Sequence, residues 1–103
     1  MENTLKLAER LDSTNADVFK KEAVAVLDAR FNGLIIDFSG TKFVDSIGLG
    51  TLVSILKQSA LKQKKVVLAS LSPQVRQIFE LTRLYRLFEI FATVDEAAAA
   101  LQK

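Results

Sequence analysis

The chain has 103 residues, of which 50% are hydrophobic and 25% charged, a composition typical of one globular domain. Fourteen Lys and Arg residues against twelve Asp and Glu give a formal charge of +2, too small to predict a nucleic-acid or membrane surface. There is no cysteine and no histidine, which excludes disulfides, thiolate metal sites and a Ser-His-Asp triad.

The start of the chain predicts a cytoplasmic protein. Residues 1–4, Met-Glu-Asn-Thr, have neither the basic cluster nor the apolar run of a secretory signal. Elsewhere, no apolar stretch reaches the roughly 18 residues that a membrane helix needs. We therefore expect no contact with a membrane.

The first half of the chain predicts two strands and two helices. Residues 4–11 begin with the apolar/polar alternation of a half-buried strand. Four helix-capping residues at 12–15 precede apolar positions at helical spacing, which predicts the first helix. Residues 34–38 form an apolar run typical of a central strand, and a second, largely buried helix follows Asp45 and Ser46.

The second half predicts two more strands and two more helices. Residues 66–69 are a buried strand, and Ser72-Pro73 is a helix start with proline at the first helical position. Residues 87–91 predict a last strand. Residues 93–96 form a capping box that opens an alanine-rich helix, expected to run to about Lys103.

This alternation of strands and helices predicts the fold class. It favours a single α/β domain over residues 1–103, with about four strands in a mainly parallel sheet and about four helices. The direction of the first strand stays open, because the sequence does not determine its neighbour.

Residues 43–50, Phe-Val-Asp-Ser-Ile-Gly-Leu-Gly, are the segment most suggestive of chemistry. They place the carboxylate of Asp45 and the hydroxyl of Ser46 where a helix begins. A helix N-terminus offers unpaired N–H groups and the positive end of the helix dipole, so it stabilises a phosphate. Ser46 is therefore a candidate phosphoacceptor, and the neighbouring Asp45 would add repulsion toward an acidic partner surface.

A purely structural interpretation of the same segment is also open. Asp45 or Ser46 could cap the helix, since both residue types are favoured at caps. Gly48 and Gly50 could allow close packing of helix on sheet, or could leave the turn bare for a partner's backbone. The Gly-x4-Gly-Lys-Ser/Thr pattern of a phosphate-binding loop does not occur in the sequence.

The order of elements and four motifs resemble the STAS domain of bacterial anti-sigma factor antagonists. The motifs are Leu11-Asp12, Ile36-Asp37-Phe38, Val44-Asp45-Ser46-Ile47-Gly48-Leu49-Gly50 and Ser72-Pro73. The resemblance covers nearly the whole chain, although many family members carry a hydroxyl or a small residue where this chain has Ile47.

The resemblance implies a non-enzymatic, partner-switching phosphoprotein without a catalytic centre, cofactor or metal. The unmodified protein would bind an anti-sigma factor that is also an ATP-dependent serine kinase, phosphorylation of Ser46 would release it, and a serine phosphatase would reset the switch. Asp45 would orient or shield the hydroxyl. We expect a monomer or weak dimer whose partner surface comprises Asp12, Phe43, Asp45, Ser46, Ile47, Gly48, Leu49 and Gly50.

Two other functions compete with the phosphoswitch. The first is a constitutive interaction domain in another signalling complex without direct sigma-factor control. The second is an enzyme or small-ligand binder that uses the Asp45-Ser46 turn as an anion site, for which the sequence lacks supporting motifs.

Two basic clusters stay ambiguous in the sequence. The lysines at 57, 62, 64 and 65 fit either a nucleic-acid patch or a solvated helix end. Arg76, Arg83 and Arg86, near Tyr85, fit either a partner contact or a solvated helix face.

Overall fold

The computed structural model describes residues 3–102, which contain six strands and four α-helices. The strands are β1 (Thr4–Lys6), β2 (Arg10–Leu11), β3 (Gly33–Asp37), β4 (Phe43–Val44), β5 (Lys65–Ala69) and β6 (Glu89–Phe91). The helices are α1 (Ala16–Asp28), α2 (Ser46–Leu61), α3 (Pro73–Leu81) and α4 (Val94–Leu101), with a 3₁₀ turn at Leu84–Arg86.

The main sheet has four strands in the order β1-β3-β5-β6, and every neighbouring pair is parallel. The predicted α/β class and mainly parallel sheet are confirmed. The open question about the first strand is answered, since β1 runs parallel to β3 with Leu5 opposite Ile36. Asp37 lies at the end of β3, half-buried, and its carboxylate accepts a hydrogen bond from the Ser39 N–H.

The prediction of one strand over residues 4–11 is wrong, because the chain divides there into two strands. After β1 it leaves the main sheet, and β2 pairs in parallel with β4, Arg10 opposite Phe43 and Leu11 opposite Val44. We call this pair the ribbon. Strands of two residues are too short to show a hydrophobic period, and their pairing joins distant segments.

The sheet separates two apolar clusters. The larger one joins α1, α2 and α3 to one face of the sheet and includes Leu27, Ile36, Leu52, Ile55, Leu68 and Val75. Phe79, on the buried face of α3, makes edge-to-face contacts with Phe38 and Phe88, at ring-centroid distances of 6.1 and 6.0 Å. The smaller cluster joins α4 to Ile35, Val67 and Ala69 on the other face.

The ends of several predicted elements shift. The chain forms the 3₁₀ turn before the last strand, which starts at Glu89 rather than at residue 87. The capping hydroxyls of Ser72 and Thr93 accept hydrogen bonds from Val75 and Glu96 N–H groups, as predicted for α3 and α4. Helix α4 ends at Leu101; the expected extension to Lys103 and the interpretation of Met1 and Glu2 concern positions outside the described residues.

Across residues 3–102, none of the helices is both long and apolar enough to cross a bilayer.

Most of the lysine cluster is engaged within the fold. The Lys64 ammonium donates to the carbonyl oxygens of Ala29 and Phe31, at 2.7 and 2.6 Å, and so closes the C-terminal end of α1. Lys62 forms an ion pair with Asp28, and Lys65 one with Glu89. Of the two interpretations of the lysine cluster, the one that places lysines at a helix end fits these contacts. Lys64, however, bonds the end of α1 and not that of α2.

We expect Lys64→Met to lower the free energy of unfolding by about 2 kcal/mol, because two carbonyl groups lose a charged donor in a half-buried position. Urea unfolding measures this. Lys57→Met is the matched control, since Lys57 is exposed and has no ion pair within residues 3–102. Equal stability of the two variants would contradict the capping role.

Candidate functional site

The candidate site is the first turn of α2, where the chain leaves the ribbon. Asp45 is the N-cap residue in extended backbone conformation, and its Oδ1 accepts a hydrogen bond of 2.8 Å from the Gly48 N–H. The Asp45 N–H in turn donates to the Leu11 carbonyl at 3.2 Å. Asp45 therefore has the capping role that the sequence left open between it and Ser46.

Ser46 is the first residue of α2 and is exposed. Its hydroxyl has no hydrogen-bond partner within residues 3–102, and neither do the backbone N–H groups of Ser46 and Ile47. These N–H groups belong to the positive end of a helix of 16 residues. The hydroxyl is thus accessible, next to free donors that suit an added anion.

The two glycines of this turn have different environments. A Cβ at Gly48 would lie 2.5 Å from the Leu11 carbonyl oxygen and 2.9 Å from Val44 Cγ1, so the helix contacts the ribbon without room for a side chain. At Gly50, no atom lies within 4 Å of the corresponding point. Of the two alternatives left open for the glycines, close packing therefore applies to Gly48, which is buried, and a bare turn to Gly50, which is exposed.

Apolar residues lie within three positions of Ser46 in the sequence. Ile47 is 51% exposed and Phe43 39% exposed, while Leu49 is half-buried and packs against the larger core cluster. Phe43 carries the Arg10 guanidinium over its ring, 4.7 Å from the centroid. The exposed Phe43, Ser46 and Ile47 form one surface that we call the switch surface.

Arg10, a neighbour that sequence reasoning missed, contacts this surface through Phe43. It faces Phe43 only because β2 and β4 pair, and neither two-residue strand gives a periodic signal. Arg10 also forms an ion pair with Asp12, at 3.4 Å between Nε and Oδ2.

Asp12 lies beside the switch surface, directly after the ribbon. Its carboxylate accepts hydrogen bonds from the hydroxyl and the backbone N–H of Thr14, and it does not cap α1, which begins at Ala16 after Asn15. These Thr14 bonds, with a smaller contribution from Arg10, hold the pKa of Asp12 below its ordinary value. The pairing of the ribbon strands thus places Asp12 beside the segment 43–50, in which Gly48 is buried and Phe43, Ser46, Ile47 and Gly50 are exposed.

The described part of the chain offers no metal centre, since residues 3–102 hold no group of three or more carboxylate, histidine or cysteine ligands. Two grooves, one on α1 and one between α3 and β6, are lined by none of the residues 43–50. The first turn of α2 is accessible through its exposed residues, as contact with another protein requires.

Comparison with known proteins identifies the family. The model of the STAS domain matches residues 3–97, and the chain belongs to the STAS domain family. BtrV of Bordetella bronchiseptica, a candidate anti-sigma factor antagonist, is 28% identical over 92 residues, which cover 89% of this chain and 79% of that protein.

Solved structures agree with the fold. The crystal structure of a candidate anti-sigma factor antagonist from Thermotoga maritima superposes with a TM-score of 0.85 at 27% identity, covering 100% of this chain and 91% of that one. The unphosphorylated anti-sigma factor antagonist SpoIIAA gives a TM-score of 0.82 at 21% identity, covering 99% and 90% of the two chains. At this lower identity, the likeness to SpoIIAA shows the fold alone.

The two glycines provide a matched test of the packing at the start of α2. We expect Gly48→Ala to lower the free energy of unfolding by about 1–3 kcal/mol, because its methyl group would overlap the Leu11 carbonyl. Gly50→Ala should leave stability unchanged or raise it by up to about 1 kcal/mol, since alanine is the better helix former. Urea unfolding compares them, and equal effects would refute the packing argument.

The lowered pKa of Asp12 predicts a pH-dependent contribution to stability. Because the folded-state pKa lies below the ordinary value of about 3.9, the contribution is complete above that pH and lost as pH falls through the folded-state pKa. Asp12→Asn should therefore be less stable than the wild type at pH 7, and the difference should shrink in acid. Urea unfolding across this range measures it, with Glu22→Gln on α1 as the control; a pH-independent difference would contradict the assignment.

Proposed function

We propose that this chain is a phosphorylation-controlled anti-sigma factor antagonist that acts in the cytoplasm. The unmodified chain binds an anti-sigma factor of the ATPase type, which is also a serine kinase, through the switch surface and its neighbours. Phosphorylation of Ser46 releases that partner, and a serine phosphatase restores the binding form.

One observation carries this proposal: Ser46 is exposed while Asp45 provides the helix cap. If Ser46 were the cap, its hydroxyl oxygen would hold the hydrogen bond that starts the helix and would also carry the phosphoryl group. Here the hydroxyl is free, so modification leaves the Asp45 cap in place. The turn can therefore change its charge without losing its fold.

The composition of the surface explains why phosphate would release a partner. Phe43 and Ile47 offer apolar area for docking, and Ser46 adds a neutral, exposed hydroxyl in the same short segment. Phosphorylation adds about −2 charge, which a docked partner would have to desolvate. Asp12 and Asp45 already place negative charge beside the turn, so an acidic partner surface would be repelled further.

The helix end limits the cost to the antagonist itself. The free N–H groups of Ser46 and Ile47 and the dipole of α2 stabilise an anion at this position, worth about 0.3–1 kcal/mol in an exposed setting. Two stable states of one fold are what a reversible switch requires. SpoIIAA, which has the same fold, has solved structures in unphosphorylated and phosphorylated forms.

The test uses wild type, Ser46→Ala and Ser46→Asp as baits in a lysate of the native host, with retained proteins quantified by mass spectrometry. We expect an ATPase-type serine kinase to stay with wild type and Ser46→Ala, and to fall at least about tenfold with Ser46→Asp, because that variant places a charge in the interface.

Ser39→Asp is the matched control for this experiment. Ser39 is exposed and follows the carboxyl end of β3. Ser39→Asp therefore adds the same charge as Ser46→Asp, but outside the proposed contact. Retention of the kinase by Ser39→Asp and its loss by Ser46→Asp would support the switch. Identical partners on all four baits would instead indicate a constitutive interaction domain, with Ser46 as an ordinary helix residue.

A further inference from the structure

A second exposed surface lies on the connection between α3 and β6. It comprises Leu81, Arg83, Tyr85, Arg86 and Leu87 on the connection and Arg76 in the first turn of α3, and we call it the arginine surface. Helix α3 starts at the carboxyl end of β5 and runs back, so the connection lies at the amino ends of the parallel strands. Ser46 starts a helix at the carboxyl ends, so the connection and the switch surface lie at opposite ends of the strands, while Arg76 lies toward the end that carries Ser46.

Large apolar side chains are unusually exposed there. Leu81 is 78%, Leu87 54% and Tyr85 50% exposed, all within seven consecutive residues. A single exposed leucine needs no explanation, but a cluster of them marks a contact surface.

A groove adjoins these side chains. It has a volume of about 390 Å³ and lies between α3, the 3₁₀ turn and β6, lined by Arg76, Phe79, Glu80, Tyr85 and Ile90. Phe79 is buried and Ile90 half-buried, which gives the groove an apolar floor. The strand beside it, β6, pairs only with β5 among the described strands, so its outer edge is open.

The positive charge of this surface is not neutralised within the fold. Arg76, Arg83 and Arg86 form no ion pair within residues 3–102, and Glu80 is the single carboxylate that lines the groove. In contrast, Lys62 and Lys65 have carboxylate partners and Lys64 has carbonyl partners. Three guanidinium groups are thus available to an external acidic ligand.

Backbone geometry fixes the position of one of these arginines. Arg83 has a φ of +61°, a left-handed conformation that is strained for a residue other than glycine. The preceding Thr82 stabilises the turn through its hydroxyl, which donates 2.7 Å to the Ile78 carbonyl. The strained turn presents Leu81, Arg83 and Tyr85 together without need for reordering.

We propose that the arginine surface binds an acidic segment of another protein, with a large apolar side chain of that segment in the groove. The complementarity of charge favours this partner over a second copy of the chain. Three arginines provide too few positive charges to bind a nucleic acid. The site is independent of Ser46 and of the proposed phosphoswitch.

The test is selection of a phage-displayed random peptide library on the full chain, with counter-selection on Arg83→Glu/Arg86→Glu. We expect enriched peptides to combine Asp or Glu with Leu or Phe. In ¹⁵N NMR titrations of the full chain with these peptides, the amide signals of Leu81, Tyr85 and Leu87 should shift. The dissociation constant should rise at least about tenfold in the double variant and should not change in Ser46→Asp.

Two matched variants control this experiment. Lys21→Glu/Lys57→Glu makes the same change in total charge at exposed positions of α1 and α2 and should leave peptide binding intact. Leu81→Ser, at a side chain outside the core, should weaken binding without lowering the free energy of unfolding.

Several results would overturn the proposal. The selected peptides could lack acidic residues, or they could be enriched equally on Arg83→Glu/Arg86→Glu and on the wild type. The amide signals that shift on peptide binding could also belong to residues 43–50. Self-association abolished by Leu81→Ser would assign the surface to a second copy of the chain, and a library without enrichment would mean that no peptide segment docks there.

Discussion

The contact between Gly48 and the Leu11 carbonyl is the constraint on which the site depends. It lets the first turn of α2 rest directly on the ribbon, and a side chain as small as a methyl group would separate them. The ribbon in turn is tied to the preceding loop, since the Thr41 hydroxyl donates to the Ala8 carbonyl and the Lys42 N–H to the Glu9 carbonyl, both at 2.8 Å. The buried contact between Gly48 and Leu11 thus determines where the first turn of α2 lies, and with it the position of the exposed Ser46.

That packing separates two tasks which a single residue often combines. The Asp45 carboxylate accepts a hydrogen bond from the Gly48 N–H, and the side chain of Ser46 next to it makes no hydrogen bond within the described chain. A residue without a structural task can be modified at little cost in stability, which is the physical requirement for a reversible chemical signal.

Local signals in the sequence predicted the fold class and the start of α2, α3 and α4. The caps at Asp45, Ser72 and Thr93 are formed by side chains within three residues of the groups they bond, so spacing predicts where each helix starts, although it left Asp45 and Ser46 as alternatives for the cap of α2. The parallel sheet followed from the alternation of elements. Such short-range patterns carry most of the architecture.

The features that sequence missed depend on contacts between distant segments. The ribbon, the position of Arg10 over Phe43 and the bond from Lys64 to the end of α1 all join residues far apart in the chain. Gly48 and Gly50 look equivalent in the motif, yet only the structure shows which one faces the ribbon. The predicted partner surface stays a prediction, and the individual positions of its residues, such as the burial of Gly48 and the exposure of Ser46, required the coordinates.

The isolated position of α4 has a consequence for how the domain comes apart. Among the helices of residues 3–102, α4 is the one that packs on this face of the sheet, where the apolar cluster of Ile35, Val67, Ala69, Ala97 and Leu101 is much smaller than the opposite one. Local opening of α4 should therefore cost less than global unfolding, so its amides should exchange with solvent first. Such an opening would uncover apolar strand residues while leaving the ribbon and α2 in place, and aggregation would begin from the face opposite to the one that carries Ser46.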